Sequence, residues 1–289
     1  MAHFTRRRLL SLAAAGPLYL APFVTRVAQS KEGSVKRIFI TGSTDGLGRA
    51  AAVTLINEGH QVVLHARSKA RAAAFADLAP KSAGVVIGDL ASADEVRALA
   101  EQVNKKGRMD AIIHNAGIYH EATRGKTPEG HARILAVNTL APYMLTELIQ
   151  RPERLIYLSS SMHFSGEPTL EDIDWNTRRW NTDQAYSDSK LHVTALALAL
   201  ARKWPKVFSN AVDPGWVPTR MGGASASDDL EQGHLTQSWL AVSEEPAARV
   251  SGKYWYHRQP RKPAAAAADA KFQDELLARL AKLTGVTLS

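Results

Sequence analysis

From residue 35 onwards, short apolar segments alternate with longer segments of helical character. Parallel strands need crossover connections, usually helices, so this alternation is typical of a parallel sheet with both faces covered. The sequence therefore predicts an α/β fold, with a doubly wound parallel sheet of about seven strands in a single domain. The predicted strands cover residues 35–41, 61–66, 84–88, 109–114, 154–159, 207–212 and 253–256, and the predicted helices cover 46–58, 68–78, 92–105, 127–150, 186–204 and 269–283.

The composition excludes several classes of protein and site. Hydrophobic residues make up 45% of the 289 residues, which is enough for a sizeable core. The absence of cysteine excludes disulfides and thiolate metal sites. The formal charge is +8, but most basic residues are interspersed with acids, so we expect no nucleic-acid partner. No metal is expected, since the histidines at positions 120, 131, 192 and 234 lack metal-ligand spacing with carboxylates.

The first 30 residues have a composition of their own. The run Thr5-Arg6-Arg7-Arg8 precedes an apolar stretch over residues 9–24, which glycine and proline interrupt. This stretch is short for a transmembrane span, which needs about 20 apolar residues. It resembles a twin-arginine export signal, so we expect residues 1–30 to engage the export machinery and the protein to be periplasmic or otherwise exported. The alternative is a disordered or membrane-associating N-terminus on a cytoplasmic protein.

A glycine-rich turn, Thr41-Gly42-Ser43-Thr44-Asp45-Gly46-Leu47-Gly48, joins the first predicted strand to the first helix. Glycine permits positive φ and close backbone approach. The amides at the start of a helix, together with its dipole, favour a bound pyrophosphate. The spacing differs from the Gly-x-Gly-x-x-Gly dinucleotide fingerprint, but the position between strand and helix suits a phosphate-binding turn.

Tyr186 and Lys190 stand four residues apart at the start of an apolar helix. Residues at i and i+4 share one helix face, so both side chains can point into one cleft. A nearby cation lowers the pKa of a phenol from its ordinary value of about 10. The pair therefore predicts a proton donor for a carbonyl oxygen, although the spacing alone is weak evidence.

Five motifs occur in a fixed order along the chain. They are Thr41-Gly42-x-x-x-Gly46-x-Gly48, Asn115-Ala116-Gly117, Ser160, Tyr186-x-x-x-Lys190 and Pro214-Gly215-Trp216-Val217-Pro218-Thr219. Together they resemble the motif series of the short-chain dehydrogenase/reductase family, over about residues 35–285. A minor departure is His114, where many members carry asparagine. The resemblance implies a Rossmann-type fold and hydride transfer between a nicotinamide cofactor and a carbonyl or alcohol.

The resemblance also implies the cofactor, NADP(H) rather than NAD(H), because Arg67 and no acid follows the second strand. Ser43 or Lys69 would assist Arg67 at the 2′-phosphate, and Asp45 departs from the basic residue of some NADP-binding members. A plain helix-capping role for Asp89 is the alternative to adenine contact. The implied cofactor-binding residues are Gly42, Ser43, Thr44, Asp45, Gly46, Leu47, Gly48, Arg67, Asp89, Leu90, Asn115, Ala116, Gly117, Tyr186, Lys190, Pro214, Gly215, Val217 and Thr219.

Four catalytic roles follow from the same resemblance. Tyr186 is the general acid/base, and Lys190 lowers its pKa and binds the nicotinamide ribose. Ser160 holds the carbonyl oxygen, in preference to its neighbours Ser159 and Ser161. Asn138 kinks its helix and links Lys190 to solvent through water.

Two segments are expected to shape the substrate site. An insert over residues 161–185, with His163 after Ser160, resembles the retinol-dehydrogenase-like branch of the family. Trp175 and Trp180 within it either rim an apolar pocket or pack at the surface. Residues 214–240 contain a flexible lid.

The expected partner is a fairly apolar carbonyl or alcohol, and the resemblance suggests a homo-oligomer. A cofactor-binding regulator without turnover, and an exported enzyme that cycles a tightly bound cofactor between two substrates, are the alternatives.

Overall fold

The structure, a computed structural model, describes residues 34–289. The predicted export segment, residues 1–30, lies outside the described residues. Eight strands form one sheet: β1 (Arg37–Ile40), β2 (Gln61–Ala66), β3 (Gly84–Ile87), β4 (Ala111–His114), β5 (Arg154–Leu158), β6 (Phe208–Asp213), β7 (Tyr254–Tyr256) and β8 (Gln259–Arg261). Their order is β3-β2-β1-β4-β5-β6-β7-β8, and all neighbouring pairs are parallel except β7 and β8. The doubly wound parallel sheet is confirmed.

The strand count exceeds the prediction by one. Strand β8 pairs antiparallel with β7 through a tight turn at His257 and Arg258, both of which have positive φ. The chain has no glycine or asparagine at these positions that would indicate a hairpin. The eighth strand is fully exposed and extends the edge of the sheet.

Helices cover both faces of the sheet. They are α1 (Gly46–Asn57), α2 (Lys69–Ala72), α3 (Ala93–Asn104), α4 (Arg133–Leu135), α5 (Ala141–Leu148), α6 (Thr182–Lys203), α7 (Leu230–Val242), α8 (Ala265–Ala268) and α9 (Ala270–Thr284). Short 3₁₀ turns cover Ala73–Phe75, Ala79–Lys81 and Ser161–Ser165, and a π-helical segment covers Ala136–Leu140. Within residues 34–289, no helix is long and apolar enough to cross a membrane.

The core consists of two layers, one on each side of the sheet. Alternate residues of β1 divide between them, because successive strand side chains point to opposite faces. Ile38 and Ile40 pack with α1 and α7, whereas Phe39 packs with α3, α5 and α6. This three-layer arrangement confirms a single Rossmann-like domain.

Two predicted helices differ from the structure. The segment predicted as one helix over 127–150 begins only at Arg133, because Thr127 and Gly130 form a turn in which Gly130 has φ +93°. The Asp174 carboxylate, from the distant insert, accepts the amide of Ala132 at 2.7 Å and so satisfies the helix start. The predicted helix over 68–78 shortens to α2 and 3₁₀ turns.

Candidate active site

A cleft of about 560 Å³ opens at the carboxyl ends of the parallel strands, where the strand order reverses between β1 and β4. This is where open α/β sheets bind ligands, because the loops there diverge to opposite faces. The strand ends therefore bring together motifs that lie far apart in sequence. The predicted residues that line the cleft are Gly42, Thr44, Asp45, Gly46, Leu47, Arg67, Asp89, Leu90, Asn115, Ala116, Gly117, Tyr186, Lys190, Pro214 and Thr219.

The glycine-rich turn is held against the loop after β4. The Nδ2 of Asn115 donates to the carbonyls of Thr41 at 3.0 Å and Gly42 at 3.2 Å. Gly42 has φ +66°, and a Cβ there would lie 3.0 Å from Ala116. A Cβ on Gly48 would lie 2.4 Å from the Asn115 amide nitrogen, so Gly48 is required for close packing rather than for lining the cleft.

Ser43 and His65 brace the turn from below. Ser43 is fully buried, and its hydroxyl accepts the amide of His65 at 2.8 Å. The Nδ1 of His65 accepts the Gly42 amide at 2.9 Å, and its Nε2 lies 2.8 Å from the Gly88 carbonyl. Ser43 therefore points into the protein, and its predicted assistance at a 2′-phosphate was wrong. His65 was not expected from sequence.

Two arginines lie at the outer end of the cleft. Arg67 lines it as predicted, and so does Arg71 on α2. The Arg71 guanidinium donates to the Asp45 carboxylate at 2.6 Å and to Thr44 Oγ1 at 3.3 Å. Lys69, by contrast, is exposed and lies outside the cleft lining. The available sequence signal for Arg71 was its position in the first turns after β2.

The remaining cofactor residues divide into lining and supporting groups. Asp89 lines the cleft and also accepts the amide of Ala91 at 2.9 Å, so its place in the lining and a local capping bond coexist. Gly215 and Val217 lie outside the lining. A Cβ on Gly215, which has φ +83°, would lie 2.3 Å from the Asp228 carboxylate, so this glycine allows the loop to close on Asp228.

Tyr186 and Lys190 enter the inner end of the cleft from α6. Lys190 Nζ donates to the Leu158 carbonyl at 2.7 Å and lies 5.4 Å from the centroid of the Tyr186 ring. Burial lowers the pKa of Lys190 to about 8. Burial also raises the pKa of Tyr186 above its ordinary value, although the neighbouring Ser160 hydroxyl acts in the opposite direction. The net shift of the Tyr186 pKa is therefore upward, because desolvation dominates, and a lowering contribution from Lys190 stays a prediction.

The structure distinguishes among the three serines after β5. Ser159 is buried, and its hydroxyl lies 2.6 Å from Thr194 Oγ1. Ser161 is exposed. The Ser160 hydroxyl accepts the amide of Met162 at 3.2 Å and acts to lower the pKa of Tyr186. Ser159, and not Ser160, is among the residues that line the cleft. The choice of Ser160 over Ser159, and its catalytic role, stay predictions.

Asn138 lies in the π-helical segment between α4 and α5, the irregularity that sequence predicted as a kink. Its amide accepts from and donates to the backbone of Ile118, at 2.9 and 3.0 Å, and also donates to Ser189 Oγ at 3.0 Å. An ideal Cβ on Gly117 would lie 3.5 Å from both Asn138 Oδ1 and Lys190 Nζ, so the two groups face one small space. The water-mediated link to Lys190 stays a prediction.

Residues that sequence did not indicate complete the inner end of the cleft. The Tyr119 ring lies 4.5 Å from the Tyr186 ring, centroid to centroid, and its hydroxyl donates to Asp183. His120 Nε2 lies 2.9 Å from the Met221 carbonyl, which joins the loop after β4 to the predicted lid. Met221 Sδ lies 4.0 Å from the Tyr186 hydroxyl. Met221, which lies in the segment predicted to be a lid, therefore contacts the phenol in this structure.

The two tryptophans of the insert lie outside the cleft lining. Trp175 is buried with Ile134 and Ala185, and its ring packs edge-on against Trp180 at 5.4 Å. The Arg178 guanidinium stacks over Trp175 at 3.7 Å. Trp175 and Trp180 thus do not line the cleft, and Trp175 packs in the interior rather than at the surface.

The cleft fits a dinucleotide that carries phosphates. Its lining includes five basic side chains, Arg67, Arg71, Arg133, Lys190 and Arg220, against three acids, Asp45, Asp89 and Glu121. The glycine turn admits close backbone approach at its centre. Among the residues that the structure describes, no cluster of three or more acids or histidines is placed to hold a metal ion.

Comparisons with known proteins agree with this fold and site. Residues 42–248 match the family model described as Enoyl-(Acyl carrier protein) reductase. The chain is 40% identical over 255 residues to the uncharacterized oxidoreductase AN7799 of Emericella nidulans, covering 86% of this chain and 97% of that protein. It is 38% identical to the short-chain dehydrogenase chyC of Penicillium rubens, covering 87% and 98%. It is 30% identical to human retinol dehydrogenase 13, covering 97% and 96%.

Solved structures give the same architecture. A crystal structure of an uncharacterized protein from Mycobacterium paratuberculosis superposes with a TM-score of 0.75 at 25% identity, covering 88% of this chain and 95% of that chain. A blue fluorescent protein from a metagenomic library, in complex with NADPH, has a TM-score of 0.63 at 21% identity, covering 76% and 95%. The fold, the family model and the relatives define a Rossmann-type oxidoreductase. The chain belongs to the short-chain dehydrogenase/reductase family, and its relatives include retinol-dehydrogenase-like proteins.

Proposed function

We propose that the protein is an NADP(H)-dependent carbonyl reductase or alcohol dehydrogenase that acts on a fairly apolar small molecule. One observation carries the proposal: Tyr186 and Lys190 share the inner end of a cleft whose outer end holds Arg67 and Arg71. The glycine turn lies between these ends, as a pyrophosphate would require. Arg67 and Arg71 would hold the 2′-phosphate by charge-assisted hydrogen bonds. When bound at this cleft, the nicotinamide cofactor supplies the hydride.

The residues of the chain supply the proton. In reduction, Tyr186 donates its phenolic proton to the carbonyl oxygen, and Ser160 donates a hydrogen bond to the same atom. Negative charge grows on that oxygen, so preorganised donors in a water-poor site lower the barrier. Burial keeps the phenol protonated by raising its pKa. Lys190 places a positive charge beside the phenolate that forms, with Nζ held by the Leu158 carbonyl.

The substrate class follows from the inner lining of the cleft. Ile118, Tyr119, Val137 and Met221 present apolar surface close to Tyr186. One relative is named a retinol dehydrogenase, and retinol is an apolar alcohol. This supports an apolar alcohol or carbonyl compound as the substrate of this protein. We therefore propose apolar ketones, aldehydes and their alcohols as the compounds to test.

The test is NADPH oxidation with a panel of carbonyl compounds, for the wild type and Tyr186→Phe. We expect kcat to fall by about 10²-fold or more in the variant, because the general acid is removed. The NADPH Kd should stay within about twofold, because the ring and its contact with Tyr119 remain. Tyr143→Phe is the matched control: Tyr143 is a buried tyrosine that donates to the Val286 carbonyl and lies outside the cleft lining.

The outcomes separate the candidate functions. Unchanged turnover in Tyr186→Phe would exclude the proton-transfer role. If the wild type binds NADPH but reduces no compound of the panel, a cofactor-binding protein without turnover becomes the better description. Nucleotide that co-purifies with the wild type would favour an enzyme that retains its cofactor.

We also propose export through the N-terminal segment, on the sequence of residues 1–30 alone. The test compares periplasmic and cytoplasmic fractions for the wild type and for a variant in which Arg6, Arg7 and Arg8 are lysine. We expect the wild type to reach the periplasm and the variant to remain in the cytoplasm. A wild type that never leaves the cytoplasm would contradict the proposal.

A further inference from the structure

His163 is a buried polar residue close to Ser160, and the mechanism above does not use it. Its ring is fully buried, three residues after Ser160. Nδ1 lies 2.7 Å from the Ser160 carbonyl, and Nε2 accepts the Ala264 amide at 3.0 Å. A carbonyl needs a donor and an amide needs an acceptor, so these partners fix a neutral imidazole with its proton on Nδ1.

The bonds of His163 determine how Ser160 is held. The Ser160 carbonyl accepts both the His163 amide, at 3.0 Å, and the imidazole. The Ser160 hydroxyl accepts the amide of Met162, which leaves its own proton free to be donated to another acceptor. The backbone of Ser160 is therefore tied to the segment before α8, which is remote in sequence, by a single side chain.

The ring is also packed toward the loop of the Pro214-Gly215 motif. It lies 4.5 Å, centroid to centroid, from Tyr254. Tyr254 donates to Asp213 Oδ2 at 2.8 Å, and Asp213 Oδ1 accepts the amide of Gly215 at 3.0 Å. The same cluster thus contacts both the serine turn and the Pro214-Gly215 loop, so rotation of the imidazole is blocked on two sides.

We propose that His163 is a positioning residue that aims the Ser160 hydroxyl at the Tyr186 phenol. In a single tautomer, the imidazole bonds to the Ser160 carbonyl through Nδ1 and to the Ala264 amide through Nε2, and this pair of bonds is called the clamp. The inference rests on the proposed function, in which Ser160 holds the substrate oxygen. It assigns a role to a side chain that never touches substrate or cofactor.

Two amide variants divide the clamp into halves. In His163→Asn, Nδ2 takes the place of Nδ1 and can still donate to the Ser160 carbonyl, but the side chain is too short for Ala264. In His163→Gln, the amide oxygen can still accept from Ala264, but the bond to Ser160 is lost. We expect kcat to fall by about 10-fold or more in His163→Gln and by much less in His163→Asn, because small misplacements near the reacting atoms are costly.

A double-mutant cycle with Ser160→Ala separates positioning from general damage, with kcat normalised to NADPH-binding sites. In the Ser160→Ala background, His163→Gln should change kcat by less than about twofold, because the group that it positions is already absent. Gln273→Ala controls for loosening of the C-terminal segment, since Gln273 Nε2 donates to the Ala267 carbonyl. We expect its kcat to match the wild type.

The proposal is overturned if His163→Gln lowers kcat equally in both backgrounds, if His163→Asn is the worse variant, or if Gln273→Ala reproduces the loss. Failure of the proposed function has a different signature, namely turnover that persists in both Tyr186→Phe and Ser160→Ala.

Discussion

Replacing Asp45 with asparagine should strengthen NADPH binding. Asp45 lies in the glycine turn and holds the Arg71 guanidinium at 2.6 Å, at the end of the cleft where Arg67 also lies. In the proposed complex, the Asp45 carboxylate competes with the 2′-phosphate for Arg71 and repels it. The asparagine side chain has the same shape without the charge. The variant therefore removes the competitor and leaves the turn intact.

The size of the effect follows from exposure. The side chains of Arg71 and Asp45 are 36% and 56% exposed, so solvent screens their interaction. Ion pairs at this exposure are worth about 0.2–1 kcal/mol. A tenfold change in Kd corresponds to about 1.4 kcal/mol, so releasing Arg71 should lower the NADPH Kd by about 1.5- to 5-fold. The NADH Kd should change little, because NADH lacks the phosphate.

The assay is fluorescence titration of both nucleotides at low salt and at about 0.5 M salt, where screening should reduce the gain. Asp77→Asn is the matched control: Asp77 pairs with Arg49 at 2.7 Å, with side-chain exposures of 30% for Arg49 and 65% for Asp77, and lies outside the cleft lining. The reasoning would be refuted if Asp45→Asn increased the affinities for NADH and NADPH equally, or if it decreased the affinity for NADPH.

Four further outcomes are expected. Arg67→Asp should shift preference from NADPH toward NADH, and an unchanged NADPH Kd would argue against a 2′-phosphate contact. Gly48→Ala should lower the free energy of unfolding by about 1–3 kcal/mol and weaken NADPH binding, because the new Cβ would lie 2.4 Å from the Asn115 side-chain nitrogen and 2.5 Å from the Gly42 carbonyl oxygen. Thermal melts measure the first effect and nucleotide titration measures the second. The kcat/KM for reduction should fall as pH rises through about 8, as Lys190 loses its proton, and a profile flat to pH 10 would contradict this. The unfolded chain keeps the Lys190 proton to a higher pH than the folded chain does, so the free energy of unfolding should rise as pH rises above about 8. Thermal melts at several pH values should show this increase for the wild type and not for Lys190→Met.

The parts of the site that sequence predicted depend on short-range patterns. The glycine turn after β1 and the i, i+4 pair of Tyr186 and Lys190 are each contained in a few residues. The ordering of strands and helices follows from local periodicity, and so the doubly wound sheet was predictable. Once that sheet forms, its parallel topology brings the ends of β1, β4 and β5 to one edge, which is why the motifs meet.

Local patterns also explain the errors. The helix start at Arg133 depends on the Asp174 carboxylate, 42 residues away from the amide of Ala132 that it accepts. The raised pKa of Tyr186 depends on burial, which the spacing to Lys190 does not encode. The role of Ser43 depended on the direction of its hydroxyl, which accepts the amide of His65 on β2.

The sequence by itself determined the fold class, the family motifs and the presence of Tyr186 and Lys190 at the inner end of the cleft. Tertiary structure decided which side chains surround them. His120 meets Met221 across 101 residues of sequence, and His163 meets Ala264 across the same separation. Such contacts depend on the paths of loops, which no 3.6- or 2-residue period constrains, and on burial that only the assembled layers create.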